Sequence, residues 1–269
     1  MKFRIMICIK QVPSSTEIKI DPATNTLMRE GAENIINPFD IYAIEEGVRI
    51  KERLADTPDM EIETVVVTMG PPQSEKILRE AISLGADRAV LLSDRAFAGS
   101  DTLATSRVLS AAAKKIGDIK IIICGKQTMD GDTGQVGPEV AQLLSIPFVG
   151  YISEIRSVAK DKILLKQLKE KRYDIIETQL PVVISVLKEI NKPRIPGLKN
   201  MMKAKSASIE TWGVDDLKVN PSQVGLDGSA TRVVKIFKHE IKNDARIVEN
   251  DLKTQIDEIY KEIFSSGKK

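Results

Sequence analysis

The chain has 269 residues, of which 40 are basic and 38 acidic, so charge gives it no global pull toward nucleic acid or an anionic membrane. Apolar residues make up 42%, enough for a full core, while aromatics at 4% are too scarce for base-stacking platforms on single-stranded nucleic acid. The length suits one large domain, or one domain with extensions.

The opening MKFRIMICIKQVP has a short apolar core followed by a charged stretch, with no small-residue cleavage site, so no secretory leader is expected. Residues 3–9 form a continuous apolar run of strand length, as a strand buried on both faces requires. After Asn37-Pro38, apolar residues at helical spacing (Ile41, Ile44, Val48, Ile50, Leu54) predict a helix over 38–53. A second strand is predicted at 63–69, ended by Gly70-Pro71-Pro72, then a helix at 73–84 stopped by Gly85. Strands at 89–92 and 120–124 and helices at 100–116 and 133–144 continue the alternation. That rhythm implies a parallel sheet covered on both faces.

After Pro147 the rhythm changes. Residues 149–158, 162–169, 173–177 and 181–187 read as strands without intervening helices, an antiparallel addition. NKPRIPGLKNMMKAK, residues 191–205, reads as an exposed loop running into a short helix. From 213 to about 238 the pattern is weak; helical periodicity returns over 245–264 before a polar tail. The expected organisation is an open, mainly parallel doubly wound α/β domain over 1–212 and an arm over 213–269 that needs a partner surface. No apolar run approaches the ~18–20 residues of a spanning helix, so no membrane insertion is expected. Cys8 and Cys124 lie in strand-like runs, as free buried thiols of a reducing compartment do, and a cytoplasmic location is the expectation.

The chemistry concentrates in GKQTMDGDTGQVGP, residues 125–138, directly behind the apolar run IKIIIC. In an open parallel sheet, ligands bind at the carboxyl ends of the strands, where this segment falls. Its glycines let backbone N–H groups approach a ligand, and the helix expected from Thr133 turns its free N–H groups to the same place. Phosphate or diphosphate is the chemistry such a loop suits. Asp130 and Asp132 then have other duties, one capping the helix and the other accepting ribose hydroxyls. A plain helix-capping loop is the competing reading. The segment matches neither GxGxxG nor GxxxxGK[ST], so a usual dinucleotide fold or P-loop is unsupported. No metal site is expected.

GKQTMDGDTGQVGP resembles the nucleotide-binding loop of electron transfer flavoprotein beta subunits. The likeness extends to MICIKQVP, NPFDIYAIEEGVRIKE, VVVTMGPPQSEKILREAISLGADRAVLL and LPVVISV with NKPRIPGLKNMMKAK, and so covers residue 3 to about 212. The resemblance implies a sheet of the adenine-nucleotide-binding type and a heterodimer with a larger alpha subunit that carries FAD. It carries nucleotide contacts onto Cys8, onto Asn37, Pro38, Phe39 and Asp40, and onto Met69. It also carries them onto Lys126, Gln127, Thr128, Met129, Asp130, Gly131, Asp132, Thr133, Gly134, Gln135, Val136 and Gly137.

The family divides into carriers whose beta subunit holds AMP and bifurcating members whose beta subunit holds a second FAD and oxidises NADH. VPSSTEIKIDPATNTLMR, residues 12–29, resembles the bifurcating loop at Val12, Pro13, Thr16, Ile20, Asp21, Pro22, Thr24, Thr26, Leu27 and Arg29, with Ser14 where aspartate is common. A simple hairpin with a Pro–Asn turn reads equally from these residues. Small Asp132-Thr133-Gly134 leaves room for a flavin ring. SDTLATS, residues 100–106, opens a helix with hydroxyls and N–H groups that suit a dinucleotide, or forms an ordinary N-cap. Candidate NADH contacts are therefore Val12, Pro13, Thr16, Asp101 and Thr105. The resemblance further implies electron delivery to ferredoxin or flavodoxin and, through the alpha-subunit FAD, to a flavin-dependent dehydrogenase of acyl-CoA or hydroxy-acid type. The protein's contribution is then to tune flavin potentials; about 30 mV in a two-electron couple is about 1.4 kcal/mol, within reach of a few hydrogen bonds.

Leu198, in Pro196-Gly197-Leu198-Lys199-Asn200, aligns with the family's dehydrogenase-docking leucine; the alternative is a leucine folded back on its own domain. The lysines around Met201-Met202 suit a solvated or partner-facing strip better than a nucleic-acid patch. His239, the single histidine, lies outside every motif, so no catalytic histidine is expected.

Overall fold

The computed structural model describes residues 1–14, 19–20, 27–28, 34–234 and 251–265. The chain divides into two units, Met1–Val234 and Lys235–Lys269. The first opens with β1 (Lys2–Cys8), β2 (Gln11–Pro13), β3 (Lys19–Ile20), β4 (Leu27–Met28), β5 (Asn34–Ile36) and α1 (Pro38–Leu54). It continues through β6 (Glu61–Met69), α2 (Glu75–Ser83), β7 (Arg88–Leu92), α3 (Thr102–Ile116), β8 (Ile119–Gly125) and α4 (Val136–Leu144). Then follow β9 (Phe148–Val158), β10 (Lys162–Leu168), β11 (Tyr173–Gln179), β12 (Val182–Val186), α5 (Leu198–Ser206), β13 (Glu210–Trp212) and α6 (Val214–Leu217). The described helix of the second unit is α7 (Leu252–Ser265).

The main sheet runs in the order β11-β10-β9-β12-β8-β1-β6-β7-β13, with small antiparallel pairs β2-β5 and β3-β4 beside it. From β9 to β13 every neighbouring pair is parallel; only β9-β10-β11 is antiparallel. The fold is thus the open, doubly wound α/β sheet expected. One face is packed by α1, α2 and α5 through Ile44, Ile77, Ala81 and Ala204. The other is packed by α3, α4 and α6 through Val108, Leu109, Val140 and Leu217.

The departures from the sequence reading have physical reasons. The sequence pattern groups β12 with the antiparallel addition, yet it pairs parallel to β8 and β9. Its five residues, VVISV, are all buried, and a strand apolar on both faces must lie inside the sheet. β11, by contrast, alternates exposed and half-buried residues and lies at the edge. The segment after Trp212 also packs further than its weak pattern suggests. Leu217 and Val224 join the core cluster of Trp212, and Arg107 Nη1 donates to Gln223 O at 3.0 Å and Gly228 O at 2.9 Å. Long-range contacts of that kind leave no periodicity in the sequence. Among the described residues, no helix is long and apolar enough to cross a membrane.

Candidate functional site

The winding of the sheet makes the site. From β1 the chain moves outward through β6 and β7, then α3 carries it back to β8 on the opposite side of β1. The crevice at this reversal lies between the carboxyl ends of β1 and β8, where Cys8 and Cys124 pair in register. A cleft of about 280 Å³ opens there. Of the residues named from sequence, Cys8, Asp40, Met69, Lys126, Gln127, Thr128, Gly131, Thr133, Gly134, Gln135, Val136 and Gly137 line it, with Asp101 and Thr105. Gly125 of the binding loop and Ser100 and Thr102 of SDTLATS also line it, as do Ile9, Lys10, Leu109, Cys124 and Ser185, which the sequence does not mark as contacts. Their signal was present in part, since most of them end a predicted strand or open a predicted helix.

Asn37, Met129, Asp130 and Asp132 do not line the cleft but brace the loop that does. Asn37 is fully buried; its Nδ2 donates to Gln127 O at 2.9 Å, and its Oδ1 accepts from the Met129 N–H at 3.1 Å. One side chain thereby pins both ends of a turn in the binding loop. Asp130 accepts from Lys10 Nζ at 2.8 and 2.7 Å through its two oxygens. Burial pushes the Asp130 carboxyl up, and Lys10 more than offsets this, holding it below its ordinary value. Asp132 accepts a hydrogen bond from Gln127 Nε2. Neither aspartate caps α4, whose N-cap is Gln135 without a side-chain bond. The helix begins at Val136 and not near Thr133, because Asp132 and Gly134 hold left-handed φ values of 53° and 62°. At Gly134 a Cβ would also stand 3.3 Å from Lys126 O. Gly125 is required for another reason: a Cβ there would lie 2.8 Å from the backbone carbonyl carbon of Phe39. The end of β8 and the start of α1 approach as closely as glycine allows.

Two helix N-termini face the cleft. In α4, the N–H groups of Gln135, Val136 and Gly137 have no acceptor among the described residues, and Pro138 has none to give. In α3, Asp101 caps the Ala104 N–H at 2.9 Å, which leaves the N–H groups of Thr102 and Leu103 without acceptors there. The two helix starts are tied by Thr102 Oγ1 and Ser106 Oγ, which donate to Glu139 at 3.0 and 2.9 Å. Paired positive helix ends of this kind suit a diphosphate. Asp101 itself has its second carboxylate oxygen engaged by Thr231, at 2.9 Å from the N–H and 3.0 Å from the hydroxyl.

The electrostatics on the floor of the cleft are those of a dry site. Burial raises the Asp40 carboxyl from its ordinary 3.8 to about 7, against hydrogen bonds from Asn37 and from the Lys10 and Gly125 N–H groups. A hydrogen bond with Cys124, burial, and the nearby thiol and carboxyl charges push the Cys8 thiol well up. Both thiols are free and buried, and pack as small apolar groups.

The electron transfer flavoprotein domain family matches residues 24–217. The chain belongs to the electron transfer flavoprotein beta-subunit family. It is 40% identical over 262 residues to the electron transfer flavoprotein subunit beta of Thermoanaerobacterium thermosaccharolyticum, covering 97% of this chain and 98% of that protein. It is 42% identical over 245 residues to the caffeyl-CoA reductase-Etf complex subunit CarD of Acetobacterium woodii, covering 91% of each. With the protein FixA of Azotobacter vinelandii it shares 43% identity over 242 residues, 86% of this chain and 83% of that one. Membership gives it an electron transfer flavoprotein role and makes it a subunit that pairs with an alpha subunit.

The electron transfer flavoprotein loop that carries Leu198 is exposed. Leu198 opens α5 at 76% exposure, beside Ile195 at 92%. The segment that distinguishes the family's branches is described only in part: Val12 is buried and Pro13 half-buried in β2, paired with β5, and neither lines the cleft. Thr16, Asp21, Pro22, Thr24, Thr26 and Arg29 lie outside the described residues. Lys19 pairs with Met28 and Ile20 with Leu27, so these described residues form an antiparallel pair.

Proposed function

We propose that this chain is the beta subunit of an electron-bifurcating electron transfer flavoprotein and holds FAD in the cleft between β1 and β8. The observation that carries this reading is the pair of helix N-termini, α3 and α4, whose unpaired N–H groups face one cleft, as a diphosphate requires. Lys126, the loop around Gly134 and the α4 N-terminus hold the phosphates on one side; Thr105 offers its hydroxyl on the other. Met69, Leu109 and Val136 provide apolar wall. Bound there, FAD supplies hydride acceptance from NADH and one-electron transfer. NADH approaches past Asp101 and Thr105, which line the cleft. Electrons leave to a low-potential acceptor, ferredoxin or flavodoxin, and through the alpha-subunit FAD to a flavin-dependent dehydrogenase. The relative that is named for a caffeyl-CoA reductase complex supports an acyl-CoA type of dehydrogenase over a hydroxy-acid type. Leu198 docks that dehydrogenase, and α7, within the arm expected over 213–269, packs on the alpha subunit.

A second reading has its own observation. A cleft of about 280 Å³ is at the small end for ligand sites, roughly 300 Å³ and upward, and suits a mononucleotide such as AMP held structurally. The test is the nucleotide released by denaturing the complex co-expressed with its alpha subunit. Two FAD per heterodimer supports the bifurcating reading; one FAD and one AMP makes the chain a carrier subunit.

A further inference from the structure

Leu198 is presented by a segment with no apolar anchor of its own. From Asn191 to Lys203 no residue is buried, and Ala204 is the first that is. A segment of that kind keeps a single shape only where polar contacts impose it. Those contacts come from α1, where Glu45 and Glu52 lie two helical turns apart on one face. Arg194 spans both. Its backbone N–H and its Nε donate to Glu45 Oε2 at 3.1 and 2.8 Å, and its Nη2 donates to Glu45 Oε1 at 3.2 Å. On Glu52, Oε1 accepts from Nη1 at 2.7 Å and Oε2 from Nη2 at 3.0 Å, a paired geometry that a guanidinium supplies and an ammonium does not. Arg49 Nε donates to Glu45 Oε1 at 2.7 Å, which fills the four acceptor positions of that carboxylate. Arg49 Nη2 and Asn191 Nδ2 extend the seam, the first donating to Lys192 O at 3.2 Å and the second to Tyr42 O and Glu46 Oε2 at 3.0 Å.

The path from Arg194 to Leu198 is short and stiff. Pro196 fixes its own φ, and Gly197 caps α5 in extended conformation. The far end of α5 is held separately, by Arg79 Nη1 on the carbonyls of Ala204, Lys205 and Ala207 at 2.7, 3.1 and 3.1 Å. Leu198 stands at the end that the Arg194 fork ties down.

We infer that Arg194 is a positioning residue for the docking leucine: it fastens the loop to α1 in the shape that presents Leu198 to the dehydrogenase. The inference rests on the proposed docking role of Leu198. A partner binds only the fraction of molecules that hold the competent shape, so the apparent dissociation constant rises in inverse proportion to that fraction. A loop that holds the shape one tenth of the time docks about 10-fold more weakly, while the step that follows docking is unchanged.

The test uses the heterodimer with its alpha subunit and an acyl-CoA dehydrogenase that accepts electrons from the wild-type complex, with KM for the dehydrogenase and kcat fitted separately. Arg194→Lys keeps the charge and loses the fork. Glu45→Gln changes a side chain that is 4% exposed, out of reach of a partner, and replaces one acceptor with a donor. Each variant is expected to raise KM by about 10-fold and to leave kcat and bound nucleotide at wild-type values. Arg194→Lys added to Leu198→Ala is expected to change KM by less than about 2-fold beyond Leu198→Ala, because position ceases to matter once the anchor is gone. A wild-type KM in Arg194→Lys overturns the inference. So does normal docking by Glu45→Gln beside weak docking by Arg194→Lys, since Arg194 then touches the partner itself. Effects that multiply in full in the double variant overturn it too, and that cycle decides by itself if Glu45→Gln does not assemble. If Leu198→Ala leaves KM unchanged, the docking role of Leu198 is wrong and the inference falls with it.

Discussion

Asn37 and Asp40 stand three residues apart at the start of α1 and do different work. Asn37 makes bonds that a neighbouring backbone cannot replace, at Gln127 O and the Met129 N–H. Asn37→Ala leaves those loop groups without partners, at a cost of about 1–3 kcal/mol. The expected outcome is a lower melting temperature and a larger loss of bound nucleotide, read from released nucleotide per complex; full retention removes Asn37 as the loop's clamp. Asp40 affects the fold itself through its proton. Its folded value of about 7 lies above the ordinary 3.8, so the stabilisation by the neutral acid is full below about pH 4 and is lost as pH rises through 7. In that window the unfolded chain releases its proton while the folded chain keeps it, and stability falls by up to ~1.4 kcal/mol per pH unit. Asp40→Asn removes this slope. Unfolding midpoints at pH 5 and 8 should therefore converge in the variant by comparison with wild type, and parallel profiles would contradict the assignment.

At the scale of elements, the sequence was most legible where burial is symmetrical and local. The runs of β1, β6 and β8 are apolar without alternation because both faces of each strand are covered, and their positions followed directly. β12 has the same signature, but its chain neighbours are antiparallel strands, and adjacency in sequence obscured its place between β8 and β9. The start of α4 was misplaced because two left-handed residues, Asp132 and Gly134, are not visible in a hydrophobic pattern. The binding loop was legible in its glycines, whereas Lys10 and Ser185 were not, since both reach the cleft through the tertiary fold. Gly134 tests the loop directly. A leucine there must hold φ near +62° and set its Cβ 3.3 Å from Lys126 O, a strain of about 1–2 kcal/mol before its bulk enters the cleft. The expected result for Gly134→Leu is loss of nucleotide from this subunit with the alpha-subunit flavin intact; unchanged flavin content refutes the placement. Leu198→Ala is the counterpart at α5: dehydrogenase docking weakens while nucleotide content stays. If nucleotide is lost instead, the leucine serves the fold and not the interface.

At the scale of the whole molecule, the two units differ in what covers their apolar surface. Both core clusters of the first unit are completed by residues up to Val224, so the sheet, its helices and the cleft form a self-sufficient body. The described helix of the second unit is the reverse case. Leu252, Ile256, Ile259, Tyr260, Ile263 and Phe264 recur at helical spacing, and all are exposed. Side chains of this size contribute about 1.5–3 kcal/mol each when buried, so a stripe of them is a strong reason for a partner surface. A chain ending at Val234 should therefore keep the unfolding midpoint of the first unit, because the described core clusters of that unit reach no further than Val224. If α7 packs on the alpha subunit as proposed, the truncated chain should fail to co-purify with it, because the exposed apolar stripe of α7 is gone. Size-exclusion chromatography of the co-expressed pair, beside thermal melts of the truncated chain, reads both. A truncated chain that unfolds places the second unit inside the core, and one that still forms the heterodimer places the alpha-subunit interface on the sheet domain instead.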